Sequence, residues 1–348
     1  MLVTVYGANG YQGKLILAEL SRHDIEVRLV GRDRTRLESA AADVGISDAD
    51  LRVAGLDDRA ALVAASAGSD VVINCAGPFT TSGAVVVDAA IAAGAHYVDT
   101  SGEQQYVKDV FDSFHGDAER AGVTVVPAVN DGCLPGDLLA HLIAERTGPL
   151  AEITVSHFIT GAAGLSRGSL RSALATMDAM RSGGLSYDEG AWRSGIPARR
   201  DRITLPDGRS VAMAALPTCE VVTIPRHVQV DHVESLLEAT LKASLETPIT
   251  PDLIAKLPAG PTEHERAAQR FTYLLDAVDH QGQQTRGVIR GRDTYGTTAV
   301  AAVEAARRLA EGDTTAGVRT PAQAFDPADF LDTLSGYDLS WTIEAIPR

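Results

Sequence analysis

The sequence predicts an α/β protein of two domains, the first a doubly wound Rossmann sheet. Three observations carry that reading. Residues 1–20 run as strand, glycine turn and helix, the layout that lays a dinucleotide pyrophosphate on backbone N–H groups. Short apolar runs then alternate with helix formers as far as Pro127, which is the pattern of a parallel sheet with helices on its faces. Beyond residue 150 the strands become longer and alternate in polarity, as in a sheet with one buried face.

The elements follow in order. After the apolar run Met1–Tyr6, Gly7-Ala-Asn-Gly10-Tyr-Gln-Gly13 spaces three glycines three apart, and Lys14–Leu20 is rich in helix formers. Gly7 is expected to make the turn, Gly10 to admit the phosphates, and Gly13 to let helix and strand pack. Asn9, Tyr11 and Gln12 complete this cofactor loop. A second strand, Ile25–Val30, ends in Gly31-Arg32-Asp33-Arg34. A carboxylate here would accept from the ribose 2′-hydroxyl of NAD, whereas arginine would pair with the 2′-phosphate of NADP. Arg32 and Arg34 favour NADP(H), while Asp33 leaves NAD open. Asp57 follows the third strand, Leu51–Ala54, in a loop that lies beside the adenine in this fold; capping of the helix Arg59–Ala67 is its other reading. The strand Asp70–Asn74 ends in Cys75-Ala76-Gly77-Pro78-Phe79, whose small side chains and exposed backbone suit a ribose and nicotinamide. A helix over Gly83–Gly94, the strand His96–Asp99, a helix over 103–121 and the strand Gly122–Val126 complete the domain.

Composition narrows the function. The 348-residue chain has a formal net charge of −15, which argues against a nucleic-acid partner. Its three cysteines are dispersed without a CxxC pair, so neither a disulfide framework nor a zinc site is expected. No apolar run reaches the roughly 18–20 residues of a membrane span, and a strand starting at residue 2 leaves no room for a usual leader. A cytoplasmic protein is the expectation. None of the eight tyrosines is followed four residues later by lysine, which excludes the Tyr-x-x-x-Lys pair of short-chain dehydrogenases.

Val5–Gly13, Val30-Gly-Arg-Asp33 with Arg36-Leu37, Asp70–Phe79 and Gly94–Glu103 together resemble the NADP-binding half of saccharopine dehydrogenase-like proteins. That group includes saccharopine reductases and the trans-acting enoyl reductases that serve polyketide synthases. The resemblance covers the first ~140 residues as a series of ordered motifs. It implies NADP(H) as cofactor, an α/β substrate and dimerisation domain inserted after the sixth strand, and a C-terminal segment returning to the Rossmann domain. The division expected is 1–128, 129–292 and 293–348. A homodimer through the second sheet is a further implication.

The second half fits this plan. Asn130–Asp137 is a polar loop on the crevice side, before the helix Asp137–Thr147. Ala151–Ile159 alternates as a strand. The glycine- and serine-rich stretch Gly161–Ser169 opens a helix over Leu170–Arg181, where Arg167, Ser169 and Arg171 are expected to meet an anionic part of the substrate; a Ser-capped helix with solvated arginines is equally compatible. Glu220–Pro225 reads as a strand, 247–262 as an irregular proline-rich crossing, and Phe271–Gly291 as a hairpin around Gln281-Gly282-Gln283. Helices are expected over Thr297–Glu311 and Pro327–Leu334.

The function expected is reduction of a C=C (enoyl) or C=N (imine) bond of a small molecule, such as a polyketide or other secondary metabolite, by NADP(H). Candidate proton donors are Asp99, Glu103, Asn130 and Asp131, with Ser101 beside them as a cofactor contact; each also has a capping or turn-forming reading. His157 and His227 lie beside apolar strands and read as core or surface histidines. The alternative is a non-catalytic NADP-binding regulator or scaffold that retains the fold without the chemistry.

Overall fold

The computed structural model describes residues 1–161, 164–245, 250–312 and 314–346. In the first half, strands β1 (Leu2–Tyr6), β2 (Glu26–Gly31), β3 (Asp50–Val53), β4 (Val71–Asn74), β5 (His96–Asp99) and β6 (Thr124–Val126) alternate with helices α1 (Tyr11–Arg22), α2 (Arg34–Asp43), α3 (Arg59–Ser66), α4 (Phe79–Ala92) and α5 (Gln104–Ala121). β1 pairs in parallel with β2 and β4. This places the glycine turn where strand order reverses, the usual ligand crevice of such sheets. The long apolar runs of β1 and β4 are buried throughout, apart from half-buried Leu2, as both faces carry helices.

Helix α6 (Leu134–Thr147) leads into a second sheet. Its strands are β7 (Leu150–Thr160), β8 (Leu185–Asp188), β9 (Ala191–Ser194), β10 (Arg202–Thr204), β11 (Ser210–Ala215), β12 (Val230–Glu238), β13 (Arg270–Asp279) and β14 (Gln284–Arg292). Between them lie α7 (Arg167–Ala175), α8 (Met177–Ser182), α9 (Glu220–Thr223), α10 (Ala239–Leu245), α11 (Pro251–Lys256) and α12 (Glu263–Ala268). The chain closes with α13 (Thr294–Glu311), β15 (Gly317–Val318), α14 (Pro321–Ala324), α15 (Pro327–Ser335) and β16 (Ser340–Ile346). The expected mixed α/β fold is present, with one parallel and one largely antiparallel sheet.

The C-terminal 50 residues serve both sheets. The first is ordered β15-β6-β5-β4-β1-β2-β3, and β14 of the second sheet is bordered by β16. α13 packs along α1 and across β4 and β5, with small side chains such as Ala299, Ala302 and Ala306 buried against them. Gly287 lets α6 approach the second sheet, since a Cβ there would stand 2.7 Å from Leu139 Cδ2.

Several local expectations change. Glu220–Thr223 is a helix followed by a 3-10 turn at Ile224–Arg226, not a strand; a stretch this short has no period by which to tell the two apart. The helix expected over 170–181 is interrupted at Thr176, which separates α7 from α8. The proline-rich crossing contains α11, with Pro251 in its first turn and Thr250 as its cap; Pro248 lies outside the described residues, as do Ala162 and Ala163 of the glycine-rich stretch. Strands β8, β9, β12, β15 and β16 had no counterpart in the sequence reading.

Candidate functional site

The glycine loop starts where β1 ends. Gly7 has φ +82°, a left-handed conformation that L residues adopt at a cost, and its N–H donates to the Val30 carbonyl at 3.0 Å. A Cβ on Gly13 would stand 2.4 Å from the Gly7 carbonyl oxygen, so glycine alone allows α1 to sit this close to the turn. Gly10 is the N-cap of α1 and supplies no side-chain acceptor, and the first turn holds no acidic residue. The N–H groups of Tyr11, Gln12 and Gly13 therefore open α1 with no carboxylate against them, which fits a pyrophosphate.

At the end of β2, Asp33 is used by the protein. Its carboxylate accepts from Arg36 N at 3.2 Å as the N-cap of α2. Arg34 lies 3.9 Å from Glu38. Arg32 is exposed, and among the described residues it makes no hydrogen bond or ion pair. Its charge, like that of Asp57, acts on the phenol of Tyr6, whose pKa is raised chiefly by burial. Asp57 does not cap α3; Asp58 does, accepting from Ala61 N at 2.9 Å. The end of β2 thus presents an unengaged guanidinium beside an engaged carboxylate, the charge arrangement that suits a 2′-phosphate.

The loop after β4 forms the next part of the crevice. Asn74 is buried; it accepts from Ala76 N at 3.0 Å and donates to Tyr97 Oη at 3.0 Å. The Cys75 thiol donates to the Tyr6 carbonyl at 3.1 Å, and desolvation pushes its pKa up to about 12, so it is no thiolate at neutral pH. Gly77–Pro78 is a cis peptide, and Pro78 is the N-cap preceding Phe79 at the start of α4. The second domain reaches this loop: a Cβ on Gly77 would stand 2.8 Å from Ser172 Oγ of α7.

Three of the four expected acid–base residues have structural employment. Asp99, wholly buried, accepts from Ser101 N, Ala128 N, Tyr97 Oη and Tyr106 Oη at 2.7–3.1 Å; burial raises its pKa. Glu103 caps α4, its two oxygens accepting from Phe79 N at 2.8 Å and Thr80 N at 2.6 Å. Asn130 donates to the Ser101 carbonyl and accepts from Gly132 N and Cys133 N, which fixes the entry to α6. Ser101 Oγ is buried with no hydrogen-bond partner.

Asp131 differs. Half-buried, it accepts from Tyr273 Oη of β13 at 2.7 Å and Thr298 Oγ1 of α13 at 3.0 Å. Desolvation pushes its pKa up to about 6 against the lowering effects of Tyr273, Thr298 and His157. One helical turn before Thr298, Tyr295 stands edge-on to Tyr11 with centroids 5.1 Å apart, and its carbonyl accepts from Gln12 Nε2 at 3.1 Å. The first turn of α13 thereby connects Asp131 to the glycine loop.

The remaining expected residues divide. Ser169 Oγ lies 2.9 Å from Tyr295 Oη, which accepts from Ser166 N at 2.7 Å; Ser166 caps α7. Arg167 N donates to the Ala259 carbonyl, while Arg171 is exposed. Neither guanidinium has an ion pair among the described residues. The Tyr11 hydroxyl is occupied by the Pro261 carbonyl at 2.6 Å. Tyr295, Thr298, Tyr273, Ser172, His157 and Glu220 were not among the expected site residues. Tyr273 and His157 occupy inward positions of alternating strands; the others carried no local signal.

The fold thus joins a parallel Rossmann-like sheet, which carries the glycine loop, to a second, largely antiparallel sheet. Residues 3–126 match the family model described as saccharopine dehydrogenase NADP binding domain. That match supports NADP(H) as the cofactor. Across 99% of this chain and 100% of the other, the fold matches apo saccharopine dehydrogenase (L-Glu forming) from Saccharomyces cerevisiae, with TM-score 0.64 and 13% identity. Among curated proteins, a trans-acting enoyl reductase of Mycobacterium ulcerans (strain Agy99) is 32% identical over 159 residues, 43% of this chain and 38% of that protein. A Mycobacterium tuberculosis (strain ATCC 25618 / H37Rv) protein, provisionally named a trans-acting enoyl reductase, is 29% identical over 229 residues, 59% of this chain and 55% of that one. The matches thus span about half or less of these relatives. Among the described residues, no three His, Cys, Asp or Glu side chains gather to hold a metal, and no helix is long and apolar enough to cross a membrane.

Proposed function

We propose that this protein is an NADP(H)-dependent reductase acting on a C=C bond conjugated to a carbonyl, or on a C=N bond, of a small molecule. The observation that carries the reading is the connection, through the start of α13, between a glycine loop whose helix has no acidic residue in its first turn and a half-buried carboxyl held at about 6. The nicotinamide would supply the hydride. The chain's own part is to hold the phosphates on α1, to close the crevice with α7 over Gly77, and to keep a proton on Asp131 in mildly acidic solution. The relatives' name supports the enoyl form, and a polyketide or other secondary metabolite is the corresponding substrate class. Arg167, Ser169 and Arg171 are the proposed substrate contacts, and a homodimer through the second sheet is part of the proposal.

A second reading, a non-catalytic NADP(H)-binding protein, is favoured by the structural employment of Asp99, Glu103 and Asn130. NADPH oxidation measured with a panel of enones and cyclic imines separates the two. Turnover of either class that falls at least about 100-fold in Asp131→Asn supports the reductase. Tight NADPH binding with no turnover of any enone, imine or carbonyl compound sinks it.

A further inference from the structure

Behind Asp131 lies a second pair of ionisable groups, wholly inside the protein. His157 on β7 stands directly across from Tyr273 on β13 in the antiparallel register, with ring centroids 4.4 Å apart. His157 Nε2 lies 2.9 Å from Glu220 Oε1. The side chains of this pair are only 6% and 1% exposed, and Glu220 Oε2 has no hydrogen-bond partner. A carboxylate so placed is costly to bury unless its neighbour carries compensating charge. A disposition retained at that cost, against the tyrosine that donates to Asp131, calls for a function beyond packing.

We propose that His157 and Glu220 are positioning residues for Asp131, acting through the ring of Tyr273 and through the charge of His157. This rests on the reading of Asp131 as the proton-handling group. Glu220 holds and orients His157, whose ring lies against that of Tyr273; positive charge on the imidazole favours the ionised form of Asp131. Asp131 is thus balanced between desolvation, which favours the acid, and the hydrogen bonds of Tyr273 and Thr298 together with the charge of His157, which favour the anion. The other groups facing the cluster are uncharged or distant in effect. Tyr273 is neutral, its pKa well raised by burial. Thr298 contributes a hydroxyl from α13. On the α6 side Cys133 is a buried thiol with a raised pKa, and Asp137 is engaged by His227 at 2.8 Å. Cys219, next to Glu220, is also a buried thiol with a raised pKa.

The test reads the carboxyl itself. Carbon-13 NMR of aspartate-labelled full-length protein, with Asp131 assigned from Asp131→Asn, gives its titration midpoint. In His157→Gln the midpoint should rise by about one unit, as expected for loss of a nearby positive charge, and in Glu220→Gln it should rise by less, because a more distant negative charge is lost together with the support of the positive one. A midpoint unmoved in variants that fold and bind NADPH overturns the inference, since a merely structural role would leave it there. Should neither variant fold, nitrogen-15 histidine NMR of the unsubstituted protein decides: reciprocal titration steps at His157 and Asp131 support the coupling, and independent steps overturn it. Because none of these readouts uses turnover, failure of the inference is distinct from failure of the reductase reading, which Asp131→Asn kinetics tests.

Discussion

Arg32 and Asp33 are adjacent in sequence and opposite in charge, and either could have addressed the adenosine ribose. The structure separates them by giving Asp33 to the α2 N-terminus and leaving Arg32 without a partner among the described residues. Arg32→Ala is therefore expected to weaken NADPH about 10- to 100-fold, the worth of one charge-assisted pair, and NADH by less than about twofold. Isothermal titration with both nucleotides checks this; equal losses would remove the 2′-phosphate assignment. Asp131 makes a second prediction. Its pKa, about 6 when folded, exceeds the ordinary carboxyl value, so between roughly pH 4 and 6 the folded state binds a proton that the unfolded chain has released. Its contribution to stability is complete below that window and is lost as pH rises through about 6. Urea titrations across the window should show this decline in the unsubstituted protein and a flatter profile in Asp131→Asn. The sequence could show that Asp33 and Asp131 were carboxylates near a crevice. It could not show which was capping a helix, because that depends on where the neighbouring chain places its N–H groups.

The local elements were legible where a motif had only one geometric solution. The Gly7–Gly13 spacing specified a turn and a close-packed helix, and the steric proximity at Gly13 follows from that spacing. The alternating hairpin β13–β14 was legible for the same reason, as period 2 with a glycine turn admits few other arrangements. Other pieces were not: α9 has only four residues, too few to show a period, and β12 is held by its pairing with β7, far back in the chain. Glu103 illustrates how an element can claim a residue that chemistry also suits. It lies at the carboxyl end of the sheet, as a catalytic acid might be expected to, yet both oxygens are engaged by the first N–H groups of α4. Glu103→Gln should lower unfolding free energy by about 1–3 kcal/mol, since one oxygen becomes an amide facing donors. Maximal turnover should stay within about threefold, whereas loss of a general acid costs about 100-fold or more. A large loss of turnover without a loss of stability would return Glu103 to the chemistry.

For the molecule as a whole, the first sheet is incomplete without the end of the chain. α13 buries seven apolar side chains against the Rossmann half, stabilisation on the order of 10 kcal/mol, comparable with the entire stability of an ordinary domain. A chain ending at residue 292 is expected to lose cooperative unfolding and NADPH binding together, as read by circular dichroism and titration. A folded, NADPH-binding fragment would show the first domain to be autonomous. The strand β15, only two residues long, has a consequence in time. It joins β6 through Gly317 and Val318, nearly two hundred residues after its partner was made. During synthesis the first sheet therefore keeps its β6 edge unpaired until Gly317 and Val318 have left the ribosome. Such an edge invites association with other chains until β15 covers it.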